Sequence, residues 1–172
     1  MNDDDNVDSP ADWDEIEKTK NSVSEFLKLK SGDKVRFHVL SGPLAFQQIN
    51  DGKRGYTLPL NAQVAGFKLR KQYAFEILVL DGKYAGDHKV WCTGQKMAEQ
   101  LDQIRIEWGS IKKCDIILTR IGEKLETKWL ATPVPQTDLT QEELRSEFKL
   151  SEKIVYVTKA DLDAVISGLV KT

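Results

Sequence analysis

Two cysteines and two histidines in 172 residues leave little material for thiol or metal chemistry. Cys92 and Cys114 are too few for a disulfide framework, so a reducing, cytoplasmic compartment is expected. No CxxC or HxxxH pair exists, and the spacing of a structural zinc site is missing. No apolar run approaches the roughly 20 residues of a membrane span. The N-terminus lacks the basic and apolar regions of a signal peptide. HExxH, GxSxG and Walker lysine motifs are absent, and neither His38 nor His88 has a Ser or Cys partner by spacing. These absences point away from an enzyme and from any metal or cofactor. Cys92 and Cys114 read as small buried apolar residues.

Residues 1–17 also lack something: they contain no Lys or Arg, yet hold eight acids. The net charge of −2 therefore hides two opposed regions. Residues 18–172 carry +6, and residues 28–90, with eleven bases and five acids, account for the same excess. Such polarity implies charged partners. The expected organisation is an acidic disordered arm (1–17), one domain (18–135) and a C-terminal helical tail (136–172).

Alternation marks the strands. Val35, Phe37 and Val39 oppose Lys34, Arg36 and His38, a half-buried strand over 34–40. Ala45 to Ile49 reads as a second extended piece, followed by a basic loop, Asp51 to Gly55. Gln72 to Leu80, Lys89 to Cys92, Lys113 to Arg120 and Leu125 to Thr132 complete the set. One helix stands out over 95–107, with Met97, Leu101, Ile104 and Trp108 forming a stripe and Gly109 ending it. A short lead-in helix is expected to start near Trp13, and Ser22 to Glu25 has capping-box spacing with Phe26 and Leu27 following. Thr140 and Thr158 each open a short tail helix, the second with Leu162, Val165, Ile166, Leu169 and Val170 on one face. With the extra extended pieces near 45–60 and 88–93 taken as long hairpin halves or insertions, the order β-β-β-α-β-β is that of a small Greek-key barrel, so the fold class expected is mainly β, OB-fold-like, with one barrel helix and additional terminal helices.

Several runs carry a resemblance. They are Leu27 to Pro43 (LKLKSGDKVRFHVLSGP), Glu107 to Gly109 (EWG), Cys114 to Gly122 (CDIILTRIG), Leu125 to Trp129 (LETKW) and Pro133 to Pro135 (PVP). Together they resemble a family of phage and prophage single-stranded-DNA-binding proteins, over about residues 26–135. The resemblance implies an OB-fold protein that coats single strands in replication and recombination. Two features depart from it. The acids sit at the N-terminus rather than the C-terminus, and Phe46 stands where Trp or Tyr is usual.

Binding a single strand requires cations along a groove and aromatic faces for bases to stack on. The candidate cations are Lys34, Arg36, Lys53, Arg54, Lys68, Arg70 and Lys71. Phe37 and Phe75 share the apolar phase of their strands and read as core. Phe46 and Tyr56, in polar, turn-flanked contexts, read as stacking faces, and Phe67 fits either role. Trp108 completes the helix stripe. Trp91 serves as a platform if its strand lines the groove, and Trp129 fits core or groove. Asp115 and Arg120 could form an ion pair. The expected partner is single-stranded DNA, with RNA as an alternative. Replication or recombination proteins would dock on the acidic arm, where Trp13 lies, or on the C-terminal helix, which could also mediate self-association. The competing reading is a non-enzymatic phage structural or protein-interaction barrel.

Overall fold

The computed structural model describes residues 25–50 and 55–170, the last three as backbone alone. The acidic arm, Trp13, Lys53 and Arg54 lie outside the described residues.

The structure is mainly β. Six strands form one antiparallel sheet: β1 (Lys34–Asn50), β2 (Gly55–Leu58), β3 (Arg70–Val79), β4 (His88–Gly94), β5 (Cys114–Ile121) and β6 (Lys128–Pro135). Helix α1 (Gln95–Trp108) lies between β4 and β5, and two helices, α2 (Leu150–Lys153) and α3 (Lys159–Val170), follow the sheet. The strand order is β4-β3-β1-β5-β6. Strand β1 merges the two extended pieces read from the sequence. Its first residues pair with β5 and its last with β2, while β3 runs along its other side. Register shifts between Val39 and Leu44 bend it. Gly42 sits at that bend with φ +109°, and an added Cβ would lie 2.7 Å from the Ala74 carbonyl oxygen. Both facts restrict the position to glycine.

A closed barrel does not form: β4 and β6 are the two edges of the sheet, with no ladder between them. Chain leading into β1 bonds to β4 and to β5. At one end, Leu27 N donates to Val90 O and Val90 N to Glu25 O. At the other, Gly32 N donates to Arg120 O and Arg120 N to Asp33 O. Residues 25–27 are therefore extended along β4 rather than part of a lead-in helix.

The inner sheet face holds the main core. Val35, Phe37, Val39, Phe75, Ile77 and Ile116 pack there against Met97, Leu101 and Ile104 of α1. The helical stripe thus buries where its period predicts, with Trp108 half-buried beside it. Gly109, at φ +82°, caps the helix in the left-handed region.

The outer face is covered by a strap, residues 136–157. Phe148, Leu150 and Ile154 pack on Phe46, Ala74 and Val90. Two buried carboxylates fix this strap. Asp115 accepts from Thr137 N at 2.8 Å and Thr137 Oγ1 at 2.6 Å. Glu76 accepts from Ser146 Oγ and, at 2.9 Å, from Glu147 N. Past the strap, α3 lays Leu162, Val165 and Ile166 on a third cluster around Ile49, Tyr56 and Leu58. The helix expected at Thr140 is one capped turn: Glu143 N donates to Thr140 Oγ1, and Thr140 N to Glu143 Oε1.

Candidate nucleic-acid interface

Between the β4 and β6 edges runs a groove of about 1550 Å³. Its walls come from residues distant in sequence: the lead (27–30), the approach to β3 (68–72), the end of β4 with the first turn of α1 (91–97), and the β5–β6 hairpin. Antiparallel register explains how they meet. Gln72 pairs with Gly94, and Arg120 with Trp129, so each wall presents side chains from two neighbouring strands.

The charge of this lining is one-sided. Lys28, Lys30, Lys68, Arg70, Lys71, Lys96, Arg120 and Lys128 contribute, and no described Asp or Glu does. All but Arg120 are exposed. With no carboxylate in the described lining to neutralise them, their fields add along the groove and favour an anionic ligand.

Two exposed aromatic rings border it. Trp129 is 38% exposed. The Arg120 guanidinium carbon lies 5.6 Å from its ring centroid. Tyr84, also partly exposed, has Lys89 Nζ 4.4 Å from its centroid. Cys92 lines the groove too, and burial pushes its thiol up to about 11. It stays protonated at neutral pH and is a poor nucleophile.

Of the residues singled out in the sequence, Lys68, Arg70, Lys71, Trp91 and Trp129 line this groove. Trp91 does so with little of its ring: it is 4% exposed and stacks inward on Phe37 and Phe75, at 5.1 and 5.6 Å. Its role is packing.

The remaining candidates lie elsewhere. Lys34 is exposed at the start of β1, away from the groove lining. Arg36 is committed to an ion pair. Its Nη2 lies 2.9 Å from Asp115 Oδ2 and also donates to Pro135 O at 2.8 Å. The Asp115–Arg120 pair expected from sequence therefore does not form. Residues 115 and 120 differ by an odd number along a strand, so they project to opposite faces. Phe46, expected as a stacking face, is 4% exposed beneath the strap. Tyr56, at 8%, is enclosed by the cluster under α3, and Phe67 packs at its margin. Their local context is polar, but chain a hundred residues later covers them.

Sequence reasoning passed over Lys28, Lys30, Tyr84, Lys96 and Lys128, and considered Arg120 only for an ion pair. The alternation LKLK at 27–30 was a readable sign of one basic face. Nothing local to Arg120 or Lys128 distinguishes them from other surface cations.

Asp115 is a buried carboxylate whose charge is answered on several sides. Burial by itself would raise its carboxyl. Hydrogen bonds from the Thr137 hydroxyl and amide, then from Arg36 and His38, outweigh that and hold it below 3.8. His38 Nδ1 is 3.0 Å from Asp115 Oδ1, and His88 Nδ1 is 3.3 Å from Glu76 Oε2. No described group of three or more His, Cys, Asp and Glu is placed to hold a metal ion. No described helix is long and apolar enough to cross a membrane. Comparisons with family models, curated proteins and solved structures give no match for this chain.

Proposed function

We propose that this protein binds single-stranded DNA without sequence preference, as a non-enzymatic coating protein of replication or recombination. The observation that carries the reading is the groove: eight cations, no described acid, and exposed Trp129 and Tyr84 at its border. Phosphates would follow the cations, and bases would stack on the rings at about 1–3 kcal/mol each. The groove is rich in lysine on exposed stems, which suits tracking a backbone better than reading base edges.

The topology supports an OB-type barrel as the finer description. Helix α1 follows β4 and precedes β5 in the chain, and the lead (25–33) bonds to both of these strands. In this reading the lead joins the β4 side of the sheet to the β5 side, and the DNA strand lies against it.

The test is a fluorescence titration with an oligo-dT strand at low salt. Quenching of Trp emission with an isotherm that weakens steeply as salt rises is the expected result. Absence of both quenching and a gel shift would reject the reading. A second reading, a protein-interaction module, draws on the outward apolar residues Ile121, Leu125 and Leu130 of the β5–β6 hairpin, each at least half exposed. It would gain if those residues, and not the groove cations, controlled association.

A further inference from the structure

Among the groove cations, Arg120 is built differently from the rest. The seven others are exposed, whereas Arg120 is half-buried. Its Nη1 donates to the carbonyl of Leu29 in the lead. Its guanidinium lies against the Trp129 ring on the next strand. Its backbone exchanges hydrogen bonds with Gly32 and Asp33. One residue thus holds together the lead, β5 and β6, three of the groove's walls.

Among the described residues its charge is nevertheless unanswered. None of the ion pairs among the described residues includes Arg120, and its Nε is buried with no hydrogen-bond partner. A partly buried guanidinium whose only acceptor is one neutral carbonyl is costly unless an anion completes its shell. Arg36 provides the internal contrast: similar in exposure class, it has Asp115. Beside Arg120, Thr127 Oγ1 is also buried without a partner. Two unsatisfied polar atoms on one groove wall, flanking a half-open indole, make a localised polar demand.

Resting on the reading of the groove as a single-strand site, we infer that Arg120 and Trp129 form a one-nucleotide subsite. The guanidinium takes one phosphodiester, while the ring, steadied on one face by Arg120, stacks a single base on the other. Arg120 is thereby a positioning residue for Trp129 as well as a phosphate ligand. Lysine does not replace it, because an ammonium has no planar surface to lie along an indole and no fork of fixed donors.

Two measurements on the full chain test this. In the first, R120K is titrated with oligo-dT, with thermal melts confirming that it folds. Charge is conserved, so the salt slope should stay within error of wild type. Affinity should fall at least about fivefold, and Trp quenching should shrink, because the stacked geometry is lost. In the second, wild-type protein is photocrosslinked to a bromodeoxyuridine oligonucleotide and the modified peptide is mapped. Crosslinking at Trp129 is expected. Wild-type affinity and quenching in R120K, or crosslinks confined to other residues, would overturn the subsite while leaving the groove reading standing. Failure of wild-type protein to bind the strand would overturn both, so the two failures are separable. A loss of thermal stability in R120K with unaltered binding would assign Arg120 a purely structural role and also reject the subsite.

Discussion

Asp115 accepts two hydrogen bonds from Thr137, one from the backbone amide at 2.8 Å and one from the hydroxyl at 2.6 Å. This pair fastens the start of the strap to the sheet, in the same carboxylate that receives Arg36 and His38. Breaking such a buried pair from one side leaves Arg36 without its counter-charge. D115N is therefore expected to lose about 3 kcal/mol at neutral pH, read from urea unfolding.

The same carboxylate predicts an acid limb. Its folded-state pKa lies below the ordinary 3.8, so the native state releases this proton more readily than the unfolded chain does. Its contribution to stability is complete above the ordinary carboxylate range. It declines as pH falls below 3.8 through the lowered native value. Unfolding free energies of wild type and D115N should accordingly converge on acidification. A constant gap down to about pH 2 would contradict the assignment of that limb to Asp115.

Phe46 separates packing from recognition. Beneath Phe148 and Ile154 it is a core residue, so F46A should cost about 3–5 kcal/mol of stability. The milder F46L, tested on protein shown to be folded, should leave oligo-dT affinity unchanged. Weakened binding by folded F46L would restore this ring to the interface.

The groove cations should act through salt. Replacing Lys68, Arg70 or Lys71 singly by Met removes one phosphate contact each. Every replacement should reduce the slope of log affinity against log salt by about 0.7. The same change at Lys34, which lies off the groove, should leave the slope alone. Equal effects at all four positions would mean that net charge, not the groove, governs affinity.

The acidic arm supplies a fifth expectation. Residues 1–17 carry eight acids and no base, opposite in sign to the cations that line the groove. If they compete with a strand for that groove, deleting them should tighten binding at low salt, with the gain disappearing above about 0.5 M as screening shortens to a few ångströms. Identical affinities with and without residues 1–17 at low salt would dismiss the competition.

What was legible in the sequence follows the range of the forces involved. The period of α1 and the alternation in β3 and β5 are set by neighbours within one element, and the strands and helix appear close to their expected bounds. The strap's reach over the outer face is not local. Phe46 and Tyr56 sit among polar neighbours, and only the later chain shows that they are enclosed. The groove is equally non-local: Lys68 and Lys71 stood in a visibly basic run, but Lys28, Lys96 and Lys128 join them through strand order alone. Arg36 looked like a free cation because its partner, Asp115, is 79 positions away.

Covering the outer face with the strap sets an order of events during synthesis. Phe46, Ala74 and Val90 leave the ribosome well before Phe148, Leu150 and Ile154. The nascent chain therefore carries a sticky sheet surface through most of its emergence, at the stage when partly built β-sheets are most prone to misassociate. A chain halted at residue 135 would retain every strand of the sheet and the whole groove, yet keep that surface uncovered. The final fifth of the molecule thus supplies the cover that the part preceding it lacks.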